Sequence, residues 1–141
     1  MTQRKHSRQR DAIKAFLTSR TDHPTADMIY TCLREDYPNI SLGTVYRNLT
    51  LLTELGEVAR ISTGDGADHY DANTSQHHHF ICSVCQNIYD LQIDAMDSID
   101  SVIGRATAHC QGRIDHYRIN FYGTCARCLK VHPEHHSQPA E

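Results

Sequence analysis

An α+β fold in two parts is predicted: an N-terminal winged helix-turn-helix domain, then a small α/β dimerisation domain with a four-cysteine zinc site. Three observations predict it. Helical apolar periodicity recurs three times before Gly56, the period changes after Gly56, and two Cys-x2-Cys pairs, Cys82/Cys85 and Cys125/Cys128, bracket most of the second half. At 141 residues the chain is long enough to bury a core in one domain or in two small ones.

The first helix is marked by Ile13, Phe16 and Leu17. A second carries Ile29 and Leu33 after Pro24-Thr25, where Thr25 can cap and Pro24 bars extension backwards. The third begins after Ser41, a good N-cap, and sets Leu42, Val45, Leu49 and Leu52 on one side before Gly56 ends it. Val58-Ala59-Arg60-Ile61 and His69-Tyr70 then flank Gly64-Asp65-Gly66, the pattern of a β-hairpin or wing. Further on, Phe80-Ile81 and Ile88-Tyr89 bracket the first cysteine pair as a short knuckle. Ile93, Met96, Ile99, Val102 and Ile103 recur at helical spacing, and Tyr117, Ile119 and Phe121 alternate as a strand that delivers Cys125. The expected divisions are a DNA-binding domain over 1–70, a hinge carrying metal ligands over 71–78, a dimerisation and zinc-binding domain over 79–132, and a polar tail over 133–141.

Charge separates the halves. The net charge is −3, yet residues 1–60 sum to +2 and residues 61–141 to −5. Only the N-terminal half can face phosphates. On the third helix Arg47 and Thr50 lie opposite the apolar stripe, flanked by Tyr46 and Thr44; with the capping Ser41 they form the candidate DNA-contacting set. A second helix placed in the major groove is how helix-turn-helix proteins read double-stranded DNA. The chain has no run of about 18 apolar residues and no signal-peptide pattern, so a cytoplasmic protein without membrane partners is expected. In such a reducing compartment paired cysteines read as metal ligands, whereas the isolated Cys32 and Cys110 read as small buried apolar residues.

Two kinds of metal chemistry follow. Four thiolates close a tetrahedral shell around Zn2+ and leave no position for a substrate. In the run His77-His78-His79, a strand would turn His77 and His79 to one face and His78 to the other. Asp71 and Asp90 could add oxygen ligands, and such a mixed set accepts Fe2+, Mn2+ or Zn2+. A zinc hydrolase is a remote alternative, since no His-Glu-x-x-His motif is present to supply a base beside the metal. No enzymatic activity is expected.

The segments DHPTADMIY, NISLGTVYRNL, HYDANTSQHHHFIC and INFYGTC, in this order, resemble the ferric uptake regulator (Fur) superfamily of metal-dependent repressors, most closely its peroxide-responsive branch. The resemblance implies a homodimer on operator DNA, with structural zinc on Cys82, Cys85, Cys125 and Cys128. It also implies a regulatory Fe2+ or Mn2+ on His23, Asp71, His77, His79 and Asp90, with His23 or His77 as the residue oxidised by peroxide. Asp90 favours the peroxide branch, because the iron-sensing branch usually has Glu there. A ferric or zinc uptake regulator that senses metal level alone is the alternative. Many relatives have a further metal site where this chain has Gln76 and Tyr117; His78, Asp97 and His116 stand nearby.

Overall fold

The structure, a computed structural model, describes residues 7–63, 66–91 and 99–131. The expectations placed on Gly64, Asp65, Ile93, Met96, Asp97 and the tail from 133 lie outside the described residues. The chain divides into two compact units, Met1–Ser75 and Gln76–Glu141.

Three capped helices open the first unit: α1 (Arg8–Thr18), α2 (Ala26–Leu33) and α3 (Leu42–Glu54). Each begins where a hydroxyl can accept a backbone N–H of the first turn. Ser7 accepts from Arg10, Thr25 from Met28 and Ser41 from Thr44. At the end of α3, Gly56 adopts φ 72°, which lets the Glu57 N–H reach the Leu52 carbonyl and the Gly56 N–H that of Thr53. This six-to-one, five-to-two pairing closes the helix, and it needs a left-handed residue at the position Gly56 fills. Strands β1 (Ala59–Ser62) and β2 (Asp68–Asp71) then pair antiparallel as the wing, with Ile61 opposite His69.

The core of this unit joins Ile13 and Leu17 of α1, Ile29 and Leu33 of α2, and Val45, Leu49 and Leu52 of α3 to Val58 and Tyr70. The apolar stripe expected on α3 therefore holds with one exchange. Leu42 is only half-buried, whereas Asn48 is buried in the stripe. Its amide oxygen accepts from Arg10 Nε at 3.2 Å and its NH2 donates to the Thr44 carbonyl at 2.9 Å. A buried amide is tolerated because both ends are bonded. The Arg10 contact ties α1 to the helix that carries the candidate DNA-contacting residues.

In the second unit, β3 (His78–Cys82) is the centre of a sheet ordered β4-β3-β5, with β4 (Ile88–Leu91) antiparallel and β5 (Asn120–Gly123) parallel to it. Helix α4 (Ile99–Cys110) lies between β4 and β5 in the chain, and α5 (Ala126–Val131) follows β5. The strand expected from Tyr117 starts three residues later, at Asn120. Side chains take the earlier backbone groups: Gln76 Nε2 donates to the Tyr117 carbonyl, and the Ile119 N–H donates to His78 Nδ1.

Two further expectations are corrected. Cys32 and Cys110 are both exposed rather than buried. Cys32 lies on α2 away from the Ile29/Leu33 stripe, and Cys110 ends α4, none of whose residues is buried in this chain. The apolar spacing on α4 is real, but Val102 remains 57% exposed. Among the described residues no helix is long and apolar enough to cross a membrane.

Candidate metal centres

The four cysteines meet in the second unit, brought there by a turn and a helix start. Between β3 and β4 the Gln86 N–H returns to the Cys82 carbonyl and the Cys82 N–H bonds the Asn87 carbonyl, with Gln86 itself at φ 63°. That tight turn presents Cys82 and Cys85 together. Cys125 immediately precedes α5 and Cys128 stands almost one turn further on, so both thiols share a helix side. Gly123 permits the close approach of this segment to β3, since a Cβ there would come within 3.2 Å of the Phe80 ring.

The four sulfurs lie within 4.8 Å of one another, and all four cysteines are free thiols. Cys85 and Cys125 sulfurs are 3.9 Å apart. That is far beyond a disulfide and close to the edge of a tetrahedron of about 3.8 Å that Zn–S bonds of about 2.3 Å require. Protonation tells the same story. Burial raises the Cys82 pKa, but backbone N–H groups of Cys85, Cys125 and Val84 outweigh it and bring the thiol down to about 6. Cys128 is pushed up to about 12 by burial and by the neighbouring Cys125, Cys85 and Cys82 sulfurs. Without a cation the cluster cannot ionise fully; a dication makes four thiolates compatible. The cluster is a zinc-type structural site.

The histidine and aspartate residues come from both units, His23 and Asp71 from the first and His77, His79 and Asp90 from the second. In the first unit His23 and Asp71 are both buried, and His23 Nε2 stands 3.2 Å from Asp71 Oδ2. Two devices hold this pair. His23 has φ 52°, a left-handed conformation uncommon for a residue with a side chain, and its carbonyl accepts from His69 Nδ1 at 2.7 Å. Asp71 uses its other oxygen, Oδ1, to accept the Asn73 N–H at 2.8 Å, which fixes the carboxylate at the start of a turn. The His69 contact had no sequence signal, because it depends on a bridge between Thr25 and His69 that only folding creates.

In the second unit β3 does what alternation requires. His79 lies directly opposite Asp90 of β4. Asp90 Oδ1 is 3.3 Å from His79 Nε2 and 3.2 Å from His77 Nε2, and the two rings stand 4.5 Å apart. His78 turns the other way, stacks on Tyr117 and accepts the Ile119 N–H through Nδ1. It is thus engaged in holding the β3–β5 approach. Of the residues near the suggested further metal site, His116 is exposed and Asp97 lies outside the described residues.

On α3, Tyr46, Arg47 and Thr50 are exposed and Thr44 half-buried. Ser41 is occupied as the cap, and Thr44 Oγ1 accepts from an Arg47 NH2 at 3.2 Å.

This arrangement of capped helices, wing and thiolate cluster has a counterpart among known proteins. The profile of the ferric uptake regulator family matches residues 1–122. The chain belongs to the ferric uptake regulator family. Within it, the chain is similar to the peroxide-responsive repressor PerR of Staphylococcus aureus, 38% identical over 120 residues, covering 85% of this chain and 79% of that protein. Among solved structures, the Campylobacter jejuni peroxide stress regulator superposes with a TM-score of 0.70 at 29% identity, over 85% of this chain and 88% of the other. The Helicobacter pylori ferric uptake regulator Fur shares the fold, with a TM-score of 0.75 at 22% identity over 94% of this chain and 85% of that one. Members of the ferric uptake regulator family are metal-responsive DNA-binding regulators, which places the winged helices and the metal-ligating groups of this chain in one functional frame.

Proposed function

We propose that the protein is a homodimeric, metal-dependent repressor that senses peroxide by oxidation of a ligating histidine. The observation that carries the proposal is the donor set. His23 and Asp71 offer one nitrogen and one oxygen, and His77, His79 and Asp90 offer two nitrogens and one oxygen. Neither group alone fills the coordination shell of Fe2+ or Mn2+. Five nitrogen and oxygen donors acting together would hold such an ion while leaving one position of a six-coordinate shell open. The similarity to PerR of Staphylococcus aureus supports the peroxide branch, as does an aspartate at position 90.

Because the two groups come from different units, a shared ion holds the units in one relative orientation. Metal that binds this orientation more tightly shifts the population toward it, and by linkage operator DNA tightens metal binding. An iron ion held by His23, Asp71, His77, His79 and Asp90 would supply the redox chemistry for reducing peroxide, with peroxide as the net two-electron oxidant and water as the other product; His23 and His77 are the ring ligands whose oxygenation would remove a donor and release the constraint between the units.

Helix α3 carries the DNA contacts in this reading, with Arg47, Tyr46 and Thr50 at its exposed face and Ser41 and Thr44 at its N-terminal end. Replacing Arg47 by Ala should weaken binding by roughly 1–3 kcal/mol with relaxed preference at one position if the guanidinium meets a base edge. A phosphate contact would instead lower the salt dependence of binding across all sequences. Fluorescence anisotropy on labelled duplexes at several salt concentrations distinguishes these, and an unchanged profile would remove α3 as the reader.

The test of the whole reading uses zinc-loaded protein carrying either Fe2+ or Mn2+, bound to an operator duplex selected in vitro with the Mn2+ form. Peroxide should release the Fe2+ form and leave the Mn2+ form bound, with one added oxygen on the peptide holding His23 or that holding His77. Equal responses of both forms, or oxygen on cysteines alone, would leave a regulator that senses metal level only.

A further inference from the structure

His23 holds a backbone conformation that its own sequence opposes. Its φ is 52°, a region that residues with a Cβ rarely enter, and Pro24 follows it, which biases the preceding residue toward extended backbone. Strand β2 holds the segment. The Tyr70 N–H donates to the Pro24 carbonyl at 3.1 Å, and Thr25 forms a bridge with His69. Those are main-chain contacts and do not depend on the side chain at position 69. The His23 carbonyl, by contrast, is reached by a side chain, with His69 Nδ1 only 2.7 Å away. A carbonyl can only accept, so this nitrogen carries the proton and donates. Side chains alternate along a strand, so His69 and Asp71 leave one face of β2 while Tyr70 enters the core from the other. That face grips His23 at both ends, its backbone through His69 and its ring through Asp71 Oδ2 at 3.2 Å.

We propose that His69 is a positioning residue of the regulatory site: by donating to the His23 carbonyl it holds His23 in the left-handed conformation that sets Nε2 beside Asp71. The proposal rests on the reading of His23 and Asp71 as ligands. Without that donor the His23 peptide can turn toward the extended backbone that Pro24 favours, and the ring turns with it. An ion would then bind only the fraction of molecules with His23 in place, and apparent affinity falls by that fraction. His69 acts through position, since its Nδ1 cannot ligate while it donates to a carbonyl. The register of β2 is what aims it. In the wing His69 lies opposite Ile61 and Asp71 opposite Ala59, and burial of Ile61 and Tyr70 fixes that pairing. Packing of the wing thereby reaches a ligand of the regulatory ion.

The test measures Mn2+ affinity by titration calorimetry on zinc-replete protein, in the parent and in His23→Ala, His69→Phe, His69→Val and His69→Asn. The Phe variant keeps a ring without a donor, the Val variant suits a strand, and the Asn variant keeps an amide N–H where Nδ1 stood. Affinity should fall about tenfold in the Phe and Val variants and stay within about threefold of the parent in the Asn variant. If the Phe ring lowers the melting temperature of the wing, the Val variant carries the comparison. Saturation with Co2+ separates position from ligation. His23→Ala should change the ligand-field bands, whereas the His69 variants should reach the parent spectrum at higher Co2+ concentration. Parent-like affinity and bands in His23→Ala would defeat the reading of His23 as a ligand, on which the proposal rests. Parent-like affinity in His69→Val, an equal loss in His69→Asn, or altered bands in saturated His69→Val would overturn the role of His69 while leaving the ligand reading in place.

Discussion

Serine in place of Cys125 should leave the second unit unfolded at ordinary temperature and the protein monomeric. Cys125 is buried, and its backbone N–H also donates to the Cys82 sulfur at 3.3 Å, so its loss breaks the shell and the link between α5 and β3 together. Among the described residues the apolar packing of this unit is small: Cys82, Cys125 and Cys128 are buried with Phe80 and Cys85 packed against them, and Ile81 and Ile88 are the other buried apolar side chains. Structural zinc contributes about 10–16 kcal/mol in small metal-stapled domains, against a total stability of about 5–15 kcal/mol for a typical domain. No rearrangement of so few apolar contacts offsets that loss. Circular dichroism, zinc content and sedimentation should fall together. A folded dimer with full zinc in Cys125→Ser would remove the structural assignment.

Ala at His77 or at Asp90 should have the opposite signature, an intact fold with lost regulation. Asp90 Oδ1 lies against both His77 and His79, so Asp90→Ala removes a carboxylate these rings share. It leaves every sulfur in place. Zinc content and thermal unfolding should stay near those of the parent. Affinity for Mn2+ should drop by about two orders of magnitude, and metal-activated DNA binding should disappear at metal concentrations that saturate the parent. Asp90→Glu is the informative partner variant, since it keeps a carboxylate but lengthens its reach. Metal-dependent DNA binding that survives in Asp90→Ala would show that the ion is held elsewhere.

Much of the fold can be read from local chemistry. Thr25 and Ser41 cap helices because a hydroxyl at those positions meets the N–H two or three residues on, and Gly56 ends α3 because only a left-handed residue completes its closing turn. The pairing of Cys82/Cys85 with Cys125/Cys128, and the shared face of His77 and His79, are likewise spacing effects. Features that depend on distant partners were not legible. Asn48 sits in an apolar stripe only because Arg10, 38 residues earlier, meets its amide. The strand before Cys125 starts at Asn120, after a stretch in which Gln76 bonds the Tyr117 carbonyl and His78 takes the Ile119 N–H. The exposure of Cys32 and Cys110 depends on which sides of α2 and α4 find neighbours, and composition carries no such information.

Strand β3 alternates between two chemistries. Cys82 and Phe80 point to the thiolate side with Tyr89 opposite, while His79 and Ile81 point to the other side with Asp90 and Ile88 opposite. A slip of one residue against β4 would exchange the two sides along the whole strand. The thiolate cluster spans the β3–β4 turn and the start of α5, and so pins that register from one side of the sheet. The geometry that sets His79 against Asp90 on the reverse side is inherited from this pin. In the reading proposed above, an ion on the four thiolates would therefore steady, through one strand, the ligands of a second ion on the reverse side of the sheet.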